Sequence, residues 1–223
     1  MKKRLAALLL AIMTIFLASC EKEFENVDEG FYDEDTGITY VTSNWSVQPI
    51  NCEEVYAKFQ NVSFYSIQFE EPTDFLSDFN ENDIGFVYRN AELPDFTVES
   101  FNPVAALLYT PGENPLYSGR WNAEEQYLDE SYQGQNVRDD SEYVYSVRDA
   151  IADGEAVELP SLNLNEEYSI HIRLLSPDYP GLYYLIAFFR DYNGVNYLYD
   201  RGAKKAVICP ENVLIGLFGA VIE

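Results

Sequence analysis

The stretch PDYPGLYYLIAFFRDYNGVNYLYDRG, Pro177 to Gly202, decides the fold. Two runs rich in aromatic and aliphatic residues, Leu182 to Arg190 and Val195 to Tyr199, flank Asp191 to Gly194, where Asn193-Gly194 supplies the positive backbone angles of a tight turn. The segment therefore predicts an antiparallel hairpin. Just upstream, Tyr168, Ile170, Ile172 and Leu174 fall on one face of an alternating run, while Ser169, His171 and Arg173 fall on the other. That is a third strand with one buried face. Further out, ITYVT (Ile38 to Thr42), EVYAKF (Glu54 to Phe59), VSFYSIQF (Val62 to Phe69), IGFVYR (Ile84 to Arg89), FTVESF (Phe96 to Phe101) and AALLYT (Ala105 to Thr110) read as short strands separated by turn residues. The alternation in Val62 to Phe69 drifts, which predicts a twist or bulge. AKKAVICP and NVLIGLFGAVI, at the C-terminal end, read as two more strands, the last too short to span a bilayer. Eighteen Tyr and fourteen Phe lift the aromatic share to 15%, which favours strands throughout.

The expectation is an all-β sandwich over residues 38–223. Pro111 to Glu142, with Pro111, Gly112, Pro115, Gly119 and Gly134, reads as a long loop or a short helix around Ala123 to Tyr132. A division into two subdomains would fall there. Asp178-Tyr179-Pro180-Gly181-Leu182-Tyr183-Tyr184-Leu185 resembles the PG-x-Y-x-L start of a late strand in bacterial immunoglobulin-like domains, which implies an immunoglobulin-like sandwich with a tyrosine locking a corner.

At the N-terminus, Lys2, Lys3 and Arg4 precede the uncharged apolar run Leu5 to Phe16, the pattern of a secretory signal peptide over 1–19. Leu17-Ala18-Ser19-Cys20 resembles the bacterial lipobox. The resemblance implies that Cys20 carries a diacylglycerol thioether and becomes residue one, anchoring the chain in the outer membrane; an ordinary cleaved signal beside an incidental cysteine is the alternative. From Cys20 to Gly37, eight acids face the single Lys22, a composition that predicts a solvated acidic tether. Within CEKEFE, Lys22-Glu23 also looks like the surface-export signals of Bacteroidota lipoproteins, which implies outward display; a periplasm-facing anchor is the alternative. Removing residues 1–19 deletes three of fourteen Lys and Arg and none of thirty-eight Asp and Glu, leaving eleven against thirty-eight, a net charge of −27. Nucleic acid is excluded as a natural partner.

With Cys20 lipidated, Cys52 and Cys209 remain, and in an oxidising compartment they are expected to pair across a long loop. Chain entropy would then contribute roughly 4 to 5 kcal/mol. Two buried free thiols are the alternative.

Signals for chemistry are weak. His171 is the only histidine, lies in mid-strand and is expected to be partly exposed; no G-x-S-x-G or Cys-His pattern accompanies it. No catalytic residue, metal or cofactor is assigned. Asp78, Asn80 and Asn82 begin a Ca²⁺-loop pattern that fails where Asp83 replaces the glycine and Arg89 the closing glutamate. Trp121, with Tyr117, Arg120 and Tyr127 close in sequence, is the candidate ligand platform, while Trp45 is expected in the core. The functional expectation is a non-enzymatic binding or assembly component of the cell envelope, with a glycan or an envelope protein as partner. A carboxylate-dependent hydrolase such as a glycosidase is the second class.

Overall fold

The computed structural model describes residues 22–78, 85–109, 115–122, 127–134, 141–158, 170–191 and 193–218. For 115–122, 127–134, 141–142 and 216–218 it describes the backbone course alone. The elements run β1 (Glu25–Val27), β2 (Gly30–Asp33), β3 (Ile38–Thr42), β4 (Val47–Pro49), β5 (Cys52–Phe59), β6 (Val62–Ile67), β7 (Phe75–Ser77), β8 (Val87–Asn90), β9 (Ala105–Tyr109), β10 (Pro115–Asn122), β11 (Tyr127–Gly134), α1 (Ser141–Asp153), β12 (Ile170–Leu175), β13 (Leu182–Arg190), β14 (Asn196–Asp200), β15 (Lys205–Ile208) and α2 (Glu211–Phe218). The fold is all-β and sandwich-like, as the strand pattern predicts.

An N-terminal sheet has the order β1-β2-β3-β8-β7-β6-β5, and a C-terminal sheet the order β11-β10-β9-β12-β13-β14-β15. β4 is the eighth strand of the C-terminal sheet, paired with β13. It occupies Leu182 to Tyr184 on the edge that β14 takes further along, from Ile186 to Arg190. The first sheet curls until its edges meet. Glu23 forms a parallel bridge with Lys58, the Phe24 N–H donates to the Lys58 carbonyl and the Lys58 N–H to the Lys22 carbonyl, each at 2.8 Å. Inside the curl lie Phe24, Tyr40, Ala57, Phe64, Leu76 and Tyr88, all buried, with Phe31 and Phe59 packed against them. Phe24 and Phe64 have ring centroids 5.1 Å apart, and Phe31 and Phe64 meet edge-on at 4.7 Å. Each such pair contributes about 0.5–1.5 kcal/mol beyond its area burial.

The main core lies on the inner face of the C-terminal sheet, where Ile170, Ile172, Leu174, Tyr184, Ile186 and Phe188 alternate inward. It is covered by Tyr143, Val144, Val147 and Ile151 of α1, Val213 and Leu214 of α2, the 96–101 turn, and Ile67, Phe75 and Val87 from the N-terminal sheet. The hairpin of β13 and β14 is present as the sequence predicts, with Gly194 at φ +81° and the Asp191 carboxylate accepting the Asn193 and Val195 N–H groups. The irregularity expected in Val62 to Phe69 resides in the pairing of β6 with β5, which shifts register twice between Cys52 and Ala57.

Several sequence expectations are corrected. Residues 22–37 do not form a free tether, because Phe24 is buried and Asp33, 1% exposed, binds the Lys22 ammonium at 2.6 Å. Burial pushes the Asp33 carboxyl up, but the Lys22 and Thr36 donors outweigh it and hold the group below its usual range. FTVESF forms a turn: Asp95 Oδ1 accepts from Ser43 Oγ and from the Asn44 and Phe96 N–H groups, Thr97 and Ser100 bond reciprocally, and Phe96, Val98 and Phe101 plug the space between sheets. In 111–142 the described residues form the β10–β11 hairpin and the start of α1, with no helix over 127–132. NVLIGLF belongs to α2, which begins after Pro210. Among the described residues no helix is long and apolar enough to cross a membrane.

The predicted disulfide is absent, and both thiols are free. Ile50, two residues before Cys52, donates to the Gly181 carbonyl just ahead of β13, whereas Cys209 donates to Asn196, the partner of Arg190 at the other end of β13. Nine residues at about 3.4 Å each separate them by roughly 30 Å, while a disulfide needs Cα atoms within about 7 Å. Burial pushes the Cys209 thiol up to about 12, so it is no nucleophile. Reductant is accordingly expected to leave the melting temperature unchanged in a calorimetric scan. A stabilising bridge would instead cost about 10 °C or more when reduced.

Candidate functional site

The outer face of the C-terminal sheet carries a recess of about 180 Å³ lined by Trp45, Gln48, His171, Arg173, Tyr183, Leu185, Ala187, Tyr199 and Arg201. Strand alternation brings these residues together. His171 and Arg173 are the outward positions of β12, between the buried Ile170, Ile172 and Leu174. On β13 the outward positions are Tyr183, Leu185 and Ala187. Register then sets His171 and Tyr199 on either side of Ala187, Arg173 beside Leu185, and Gln48 beside Tyr183. The Arg173 guanidinium lies 4.0 Å from the Tyr109 ring centroid and 4.7 Å from that of Tyr183, so two rings fix its plane.

Trp45 and Arg201 form the rim. Trp45, expected in the core, is 48% exposed; its ring meets Phe86 edge-on at 4.9 Å and receives the Arg201 guanidinium at 5.4 Å. Both hang from one buried polar network, since Trp45 precedes Ser46 and Arg201 follows Asp200. Ser46 and Tyr184 donate their hydroxyls to the two oxygens of Asp200, each at 2.6 Å, and the Gly202 and Ala203 N–H groups donate to Asp200 Oδ1 at 2.9 and 3.0 Å. Asn44 Oδ1 accepts the Ser46 N–H, and its Nδ2 donates to the Phe96 carbonyl. Ser46 and Tyr184 are fully buried and Asp200 is 1% exposed. Burial and the adjacent Asp200 charge hold the Tyr184 hydroxyl far above its ordinary pKa, so it remains a donor. Gly202 is required, because a Cβ there would lie 1.3 Å from Asn44 Oδ1. The rim is thus held by packing and hydrogen bonds from below, which fixes its geometry.

No family model, characterised protein or solved structure matches this chain.

Of the residues singled out in sequence, His171 lies half-buried on the recess wall, as its mid-strand position implies. Tyr117, Arg120 and Trp121 lie on β10 and Tyr127 on β11, where Trp121 opposes Leu128 and Asn122 opposes Tyr127; their side chains lie outside the described residues. β10 joins the sheet beside β9, two strands from β12, so this hairpin and the recess belong to one sheet. Of the Ca²⁺ candidates, Asp78 uses both carboxylate oxygens on the Phe86 N–H and the Tyr88 hydroxyl, while Asn80 and Asn82 lie outside the described residues. Among the described residues no group of His, Cys, Asp and Glu is arranged to hold a metal. The sequence reading missed Trp45, Arg201 and Tyr199. Asn-Trp-Ser just after a strand and Asp-Arg-Gly just after another were the available signals, since a loop aromatic or cation flanked by turn residues is placed for exposure.

Proposed function

We propose that this chain is a cell-envelope lipoprotein, anchored in the outer membrane through Cys20 and facing either the exterior or the periplasm, that binds glycan in the recess between Trp45 and Arg173. The observation that supports this best is the lining itself. Exposed Trp45 and half-buried Tyr183 and Tyr199 offer apolar ring faces, Arg173, Arg201, His171 and Gln48 carry N–H groups, and no Asp or Glu takes part in a chain that has thirty-eight. A sugar ring presents a C–H face to an aromatic plane and hydroxyls to donors at its edge, so aromatic faces and N–H groups around one recess match its two kinds of surface. The recess is smaller than the roughly 300–1,000 Å³ of drug-sized clefts, which suits one residue of an extended polymer. The hydrolase reading gains no support from this lining, because glycoside hydrolysis needs two carboxylates facing across the cleft.

The test is a glycan and polysaccharide binding screen on the soluble form starting at Glu21, run beside Trp45→Ala and Trp121→Ala. Saturable binding weakened at least tenfold by Trp45→Ala is expected. Loss on Trp121→Ala alone would move the site to the β10–β11 hairpin, and absence of any glycan binding would transfer the role to a protein partner.

A further inference from the structure

We infer that the folded domain is held flush against lipid headgroups, with no leash between anchor and fold. The inference rests on the reading of Cys20 as the lipidated residue. Lys22 is already part of the closed N-terminal sheet: its carbonyl accepts the Lys58 N–H at 2.8 Å, and its ammonium binds Asp33 at 2.6 Å and the Tyr56 hydroxyl at 2.8 Å. The next residues continue the closure, with Glu23 bridged to Lys58 and Phe24 buried 5.1 Å from Phe64. Two peptide steps separate Cys20 from Lys22, and two steps of extended chain reach about 7 Å at most. An acyl anchor on Cys20 therefore holds the Lys22 edge of the sheet within headgroup depth of the bilayer.

The occupant of that edge is the phospholipid headgroup layer, and the chemistry of the edge fits contact rather than insertion. Glu23 is exposed directly after Lys22, and Glu34 is exposed directly after its partner Asp33, so polar groups meet the headgroups. The acidic composition that marks a solvated tether in sequence is instead the outer surface of two strands whose inner side is Phe24 and Phe31. Freeing even the first few residues would break the Lys22–Asp33 pair and expose Phe24, so the domain cannot lengthen its own leash without opening the sheet.

The experiment uses the full lipidated chain in phosphatidylethanolamine vesicles bearing a rhodamine-headgroup acceptor. A donor dye is placed at Glu34→Cys, beside Asp33 and Lys22, in a Cys52→Ser background, Cys209 being buried. A second protein carries a Gly/Ser linker of about 20 residues between Cys20 and Glu21, with an r.m.s. length of about 25 Å. Energy transfer to the membrane is expected to be high in the first protein and to fall several-fold in the second. Equal transfer in both would overturn the apposition while leaving the anchor intact. Mass spectrometry of the N-terminal peptide separates the two failures: a diacylglyceryl group on Cys20 upholds the anchor, and its absence overturns the anchor and this inference together.

Discussion

Asp200→Ala is expected to destabilise the chain by about 3–5 kcal/mol, the largest effect of any single polar substitution considered. The carboxylate is 1% exposed, yet it is met by four donors, the Ser46 and Tyr184 hydroxyls and the Gly202 and Ala203 N–H groups. Hydrogen bonds to an ionised acceptor are about twice as strong as neutral ones, which is how a buried carboxylate is tolerated here. Alanine takes this acceptor from the Ser46 and Tyr184 hydroxyls and the Ala203 N–H, while the Gly202 N–H keeps Ser46 Oγ at 2.8 Å, and each unsatisfied buried group costs about 1–3 kcal/mol, less than additively. Asp200→Asn keeps one carbonyl oxygen but sets an amide N–H₂ against the Tyr184 hydroxyl, and is expected to cost about half as much. Urea titrations with unchanged m-values measure both; a loss under about 1 kcal/mol for alanine would show that the network is not what joins β4 to β13 and β14. Because Trp45 and Arg201 hang from the same network, the asparagine variant should also weaken the recess before it unfolds the chain.

Glu70→Gln is expected to stabilise the chain at neutral pH, by an amount that grows with pH. Glu70 follows β6, and its Oε1 accepts the Gly181 N–H at 2.8 Å, linking the N-terminal sheet to the start of β13. Burial pushes its carboxyl up to about 7 from an ordinary 4.5; the Gly181 N–H pulls it down and Asp74 adds to the rise. A folded-state value above the unfolded one means that the stability contributed by this group is full below about 4.5 and is lost as pH rises through about 7, where the native state must hold an ion that the unfolded chain releases freely. The loss approaches roughly 3 kcal/mol at pH 8. Glutamine keeps the acceptor for Gly181 and removes the ionisation. The stability difference between variant and parent should grow by about 2 kcal/mol between pH 5.5 and pH 8. A difference independent of pH would show that the carboxylate is solvated in the native state.

Strands with one buried and one open face were legible in sequence. β3, the hairpin of β13 and β14, and the alternation of His171 and Arg173 with Ile170, Ile172 and Leu174 are as read, because period-2 patterning and an Asn-Gly turn are local signals. The helices were not. NVLIGLF is apolar on every side, and periodicity cannot separate a buried strand from a short helix in such a run. In α1 the buried residues Tyr143, Val144, Val147 and Ile151 do carry helical spacing, but Tyr and Val also favour strands. The acidic segment misled for another reason: its charge is local, whereas the contacts that order it, Lys22 with Asp33 and Phe24 with Phe64, depend on closure of a sheet across Lys58. Trp45 was assigned to the core on residue type alone. Its exposure follows from Asn44, Ser46 and Asp200 claiming the buried positions around it, which no spacing rule reveals.

In the proposed sugar-binding recess, Trp45 supplies the exposed aromatic surface. The decisive measurement is a paired calorimetric titration of the parent chain, Trp45→Ala and Trp45→Phe with the glycan that binds most tightly in the screen. Alanine is expected to lose at least tenfold in affinity and phenylalanine to recover most of it, with melting temperatures within a few degrees of one another. Equal affinities in all three proteins would contradict this role for Trp45.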